Sequence, residues 1–134
     1  MKHVSTLAAV GALVLACALM PDAASGQRLY QKHCQTCHGT SGAGDGPLAA
    51  DFSVPPANLR LLSAQNDGVF PEADVISKIH GYPVRNHQAL MPEFDTLRAR
   101  PRTVWTGPDS TQLSVPADLL AVVDHLKTLQ DGAE

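Results

Sequence analysis

Five residues, Cys34-Gln35-Thr36-Cys37-His38, constrain this chain more than any other stretch of it. Two thiols three positions apart, with an imidazole directly after them, can do few things. They can cycle as a dithiol redox pair, close a small structural disulfide, or contribute to a zinc site. They can also add to the two vinyl groups on one edge of a haem while the histidine ligates the iron. The residues that follow limit the local fold. Gly39, Gly42, Gly44, Gly46 and Pro47 fall within nine positions, a density no helix tolerates, so the motif sits where a helix gives way to a loop.

The alternatives are weighed by what each one needs. A thioredoxin-like pair sits at a strand-to-helix junction in a βαβ pattern, and the sequence has no such pattern. Zinc needs four ligands, and the chain downstream of residue 25 has no further cysteine and no second paired cluster. A disulfide closed over two residues constrains little. C-x-x-C-H therefore reads as the attachment site of one covalent haem c, with Cys34 and Cys37 as thioethers and His38 as an axial ligand of the iron. Aromatic residues make up only 4% of the chain. A domain of about 100 residues with so few rings buries limited apolar area, so a cofactor would be a welcome part of its core.

A second axial ligand is sought next. Met1 and Met20 lie in the first stretch of the chain, which leaves Met91, in Leu90-Met91-Pro92-Glu93-Phe94, as the remaining methionine. A lone methionine is usually core filler. This one stands on a proline-interrupted turn rather than on an apolar helix stripe, and its distance from His38 lets the chain wrap to the other haem face. Met91 is therefore favoured as the distal ligand, with His87 and then His80 as alternatives.

The N-terminus reads as a targeting segment. Lys2 and His3 precede an apolar run from Val4 to Met20, and Ala23, Ala24, Ser25 and Gly26 supply small residues for cleavage. Residues 1–25 are expected to be a signal peptide, cleaved near 24–26, and residues 26–134 one monohaem domain. A retained membrane anchor is the alternative, at the lower end of spanning length. A lipid anchor at Cys17 ranks below it, because Val14-Leu15-Ala16 is a poor lipoprotein signal. Removing the leader takes away Lys2 and Asp22, so nine basic side chains face twelve acidic ones and the formal charge stays at −3. That balance excludes nucleic acid as a partner. Between Arg85 and Arg102, four arginines meet only two acids.

Along the chain, Gly26 to Thr36 has helical character. Pro71 opens a second helix, with Glu72 and Asp74 at its positive end and Gly81 as its stop. Residues 82–92 form a loop that leads to an apolar turn at Phe94 and Leu97. Residues 103–115 suit a short hairpin, with Gly107-Pro108-Asp109-Ser110 as its turn. Pro116 starts a final helix, on which Leu119, Val122, Val123, Leu126 and Leu129 form one stripe. The expected fold class is all-α, three to four helices with Gly- and Pro-rich loops around one haem.

These residues resemble the class I cytochrome c family over nearly all of the chain after the leader. G-x-x-L-Y-x-x-x-C-Q-T-C-H-G from Gly26 looks like that family's first helix and haem site. Gly42-Ala43-Gly44-Asp45-Gly46-Pro47 is similar to its following loop, M-P-E-F at Met91 to its distal-ligand motif, and 116–129 to its C-terminal helix. The resemblance implies that the Pro47 carbonyl accepts from the outer nitrogen of His38. It also implies that Gly26 and Tyr30 cross Val122 and His125 of the last helix. Position 125 usually holds an aromatic residue in the family, and 98–115, with Trp105 and three arginines, is longer than a compact member needs. Apolar cover of the haem is expected from Phe52, Leu59, Leu61, Phe94 and Leu97.

The expected function is that of an exported electron-transfer protein, not an enzyme, which cycles one His/Met-ligated haem between ferric and ferrous. The alternative is the cytochrome subunit through which electrons enter a periplasmic or membrane oxidoreductase, and a haem-based sensor ranks third. Redox proteins are the expected partners. Membrane contact is expected only through a retained leader or a partner complex. The expected location is the periplasm or another exported compartment, or, with the leader retained, the outer face of the inner membrane.

Overall fold

A computed structural model of the chain describes residues 23–81, 91–99 and 101–132. The first helix, α1, runs Ala23–His33, and a one-turn helix, α2, follows at Gln35–His38. Helix α3 is Glu72–His80 and the short α4 is Asp95–Arg98. Strands β1 (Arg102–Thr106) and β2 (Gln112–Pro116) lead into the last helix, α5, at Ala117–Thr128. The expected leader, apart from Ala23 to Ser25 at the start of α1, and His87 lie outside the described residues. Among the described residues, no helix is long and apolar enough to cross a membrane.

The core forms where α1 and α5 cross. A Cβ on Gly26 would stand 2.0 Å from the Ala121 carbonyl oxygen and 3.0 Å from the His125 Cβ, so only glycine lets the two backbones come this close. Gly26 thus meets Ala121 and His125, where the expectation paired it with Val122 and His125. Val122 instead points into the core and is fully buried. Four residues on from Gly26, Tyr30 is 1% exposed and tilts against the His125 ring, with centroids 5.2 Å apart.

The other elements pack onto α5. Pro71 caps α3 and Gly81 ends it in the left-handed region, as the sequence suggests. Val75, Ile76 and Ile79 bury its inner face, and Lys127 Nζ of α5 donates to Glu72 Oε1 at 2.7 Å. Leu97 fixes α4 in the same core. The hairpin is antiparallel, with Trp105 opposite Leu113 and Thr103 opposite Val115, so Trp105 and Val115 point inward. The expected all-α fold is thus helix-rich with one two-stranded sheet. The single helix expected over 26–36 bends at Cys34 into two pieces.

The irregular stretch after α2 is organised by three 3₁₀ turns, Ala49–Asp51, Leu59–Leu61 and Ala64–Asn66. Its far end is fastened to the end of α5 by one buried side chain. Gln130 Oε1 accepts from the Ser63 N–H at 2.9 Å, while its Nε2 donates to the Leu59 and Leu126 carbonyls at 2.7 and 2.8 Å.

Two predictions follow from this packing. Gln130→Ala strands those backbone groups and should lower stability by about 2 kcal/mol, measured by urea denaturation. The second concerns His125. Burial holds it below its ordinary value of 6.5, so the unfolded chain takes up its proton first. The stability present above that value is therefore lost as pH falls through it toward the lower folded value. His33 and His80 are shifted in the same direction. His125→Phe should therefore reduce, without abolishing, the loss of melting temperature between about pH 7 and pH 5.

Candidate cofactor site

The end of α1 delivers the pentapeptide to a cleft. Cys34 turns the chain with φ −118° and ψ −39°, yet its N–H still bonds the Tyr30 carbonyl at 2.8 Å. The His38 N–H in turn bonds the Cys34 carbonyl at 2.9 Å. Positions 34, 37 and 38 share one face of such a turn. Cys34, Cys37 and His38 all line a cleft of about 220 Å³, together with Met91, Pro92 and Phe94. Phe52, Val54, Pro55, Pro56 and Ala57 add further apolar lining, and Lys78 of α3 reaches it as well.

The buried His38 ring is held by one backbone group. Its Nδ1 lies 3.0 Å from the Ala57 carbonyl oxygen. A carbonyl can only accept, so Nδ1 carries a proton, and in the neutral ring Nε2 then keeps the lone pair that an imidazole needs to ligate a metal. This corrects the expectation for Pro47. The Gly46 N–H is drawn onto the Cys37 carbonyl at 3.1 Å and the Leu48 N–H onto Thr36 at 3.0 Å. That wraps the loop against the motif's backbone and leaves Pro47 exposed.

The neighbouring groups are tuned by burial. Burial, and after it Cys37, pushes the Cys34 thiol up to about 12, so at neutral pH it is a thiol and a poor thiolate nucleophile. Cys34 and Cys37 are not joined to each other. Burial also pushes the Tyr30 phenol up to about 12, which keeps it a donor, and its hydroxyl bonds the Gly39 carbonyl at 2.6 Å. His33 packs edge-on against Phe94, with centroids 5.9 Å apart. Among the described residues, no group of three or more His, Cys, Asp or Glu side chains could hold a metal ion.

The cleft thus gathers Cys34, Cys37, His38, Met91, Phe52 and Phe94 of the expected residues. Leu59, Leu61 and Leu97 do not line it. Leu59 packs on the core with its N–H on the Gly42 carbonyl at 2.7 Å, and Leu97 is 1% exposed inside the core. His80 also stands outside the lining, at the end of α3. Sequence reasoning missed Ala57, His33, Lys78 and the Pro55-Pro56 wall. The adjacent prolines, which cannot join a helix or a ladder, were the available signal for the wall. For Ala57, whose part is played by a backbone carbonyl, there was none.

The residues present suit a flat, largely apolar macrocycle carrying iron. The two thiols sit on one turn, an imidazole has a lone pair to give, and a thioether lines the same space. Comparison with the curated proteins and with the solved structures gives no match. A family model described as cytochrome c oxidase, cbb3-type, subunit III matches residues 21–106, from before α1 to the end of β1. That match covers more than half of the chain and includes the whole pentapeptide and Met91, so the chain belongs to this family and is a class I c-type cytochrome.

Proposed function

We propose that this cytochrome carries single electrons on one haem, bound through Cys34 and Cys37 and ligated by His38 and Met91. The observation that carries the reading is that both side chains line one cleft, with the His38 tautomer set by the Ala57 carbonyl. Haem c supplies a one-electron couple between ferric and ferrous iron. The residues of the chain do the rest. With haem bound, His38 and Met91 would both hold the iron, which would leave no site for a substrate and favour electron transfer over bond-making chemistry. Bound to the iron, the Met91 thioether would favour the ferrous state and raise the potential. Phe52, Val54, Pro55, Pro56 and Phe94 surround the site with apolar groups, which disfavour the extra positive charge of the ferric state.

Residues 1–25 are read as a signal peptide and 26–134 as the exported domain, which agrees with a haem attached outside the cytoplasm. Redox proteins are its partners. A second reading keeps the same site and makes the chain the subunit through which electrons enter an oxidase. The family description favours it, since that family is named for an oxidase subunit. Co-purification of a larger partner from detergent extracts supports the subunit reading, and a monomer in the soluble fraction supports the diffusible carrier.

The ligand set is tested by visible spectroscopy. The ferric protein should show the weak red-end band of a thioether ligand and should resist carbon monoxide when reduced. Met91→Ala should lose the band, bind carbon monoxide readily and drop in potential by on the order of 0.1 V. A wild-type protein without that band, or a Met91→Ala protein with an unchanged spectrum, would rule out Met91.

A further inference from the structure

We infer that Arg98 is a positioning residue for the site, because it clips the Met91 segment to the end of α3. The inference rests on the reading of Met91 as a ligand. The Arg98 Nη1 donates to Glu93 Oε2 at 2.9 Å, two residues after Met91. On its other side, Nε and Nη2 both donate to the His80 carbonyl, at 3.1 and 2.5 Å. That carbonyl belongs to the last turn of α3, where helix carbonyls lack partners within the helix. One guanidinium therefore joins the end of α3 to Glu93, two residues past Met91.

The bridge is built into its surroundings. Gly81 ends α3 with φ +73°, and a Cβ there would stand 2.6 Å from Arg98 Nη2. A side chain at this position would have to shift the guanidinium, and the left-handed φ already favours glycine at this helix end. The base of Arg98 is equally fixed. Its N–H bonds the Phe94 carbonyl at 3.2 Å, and its neighbour Leu97 is locked in the core. Helix α3 is held on α5 through Val75, Ile76 and Ile79, and its Lys78 lines the cleft. Arg98 thus ties the Met91 segment to a rigid wall of the cleft, independently of any bond to iron. Asp95 adds its carboxylate to the same guanidinium at 3.8 Å.

The consequence is kinetic and thermodynamic access to the sixth position. An external ligand must push Met91 aside, and with the clip in place this requires displacing a tethered segment. Loss of the clip frees the segment and lowers the local concentration of the thioether at the iron.

The test measures imidazole binding to the ferric holoprotein by spectral titration. Arg98→Leu keeps much of the aliphatic stem and removes every side-chain hydrogen bond, and it should bind imidazole about tenfold more tightly, which is about 1.4 kcal/mol. Glu93→Gln alters an exposed carboxylate, leaves the core untouched and should give a smaller gain in the same direction. It carries the test if Arg98→Leu does not fold. Arg60→Leu, which breaks the surface pair with Asp131, should leave imidazole affinity unchanged. The inference is overturned if a wild-type protein with the thioether band shares its imidazole affinity with every folded Arg98 and Glu93 variant. Absence of the band in the wild type overturns the ligand reading itself, and the clip's role with it.

Discussion

The contact between the backbones of α1 and α5 at Gly26 and Ala121 is the constraint from which the rest of this structure follows. Two helices can come this close only where one of them lacks a side chain, and the approach brings Tyr30 against His125 one turn later. Tyr30 then serves two layers at once. Its ring belongs to the core, and its hydroxyl holds the Gly39 carbonyl at the start of the loop that follows the cysteines. The last turn of α1 therefore cannot drift. Cys34, Cys37 and His38 inherit a fixed position from a crossing that contains none of them.

The far side of the motif is governed by backbone polar groups. The glycine-rich loop folds back on the motif, with N–H groups of Gly44, Gly46 and Leu48 on the carbonyls of His38, Cys37 and Thr36. The chain then runs through two prolines to Ala57, whose carbonyl sets the His38 tautomer. A ring nitrogen that gives its proton to a fixed carbonyl makes the other nitrogen a more basic donor to a metal. Burial acts on the thiol in a different way: Cys34 is held as a thiol at neutral pH, which slows any reaction that needs its thiolate.

Much of this was legible in the residues. The stripe from Leu119 to Leu129 marked α5, which ends one residue short of Leu129, Pro71 and Gly81 bracketed α3, and the Gly107-Pro108-Asp109-Ser110 turn marked the hairpin, because each signal is carried by the side chains that make the element. That the cysteines, His38, Met91 and Phe94 line one cleft was legible for the same reason, since the sequence signal lies in their side chains. Pro47 was misjudged because its assigned role belonged to a backbone carbonyl, which every residue has and which no sequence pattern assigns to a partner. Ala57 was missed for the same reason. Leu59, Leu61 and Leu97 have the composition of a pocket lining, but apolar side chains do not reveal whether they face a cleft or the core behind it. Gly26 does make the close approach that the family resemblance implies, but the backbone it meets is that of Ala121 rather than Val122, since a likeness between families fixes which helices cross and not the register of their contact.

The proposed chemistry of the site depends on covalent attachment of haem at Cys34 and Cys37. Its most direct test is the intact mass of the protein matured in a host that attaches haem, followed by a peptide map. The expected result is a mass raised by one haem, with the addition confined to the peptide that contains both cysteines. A protein at its bare polypeptide mass, with Cys34 and Cys37 both open to alkylation after unfolding, would contradict it.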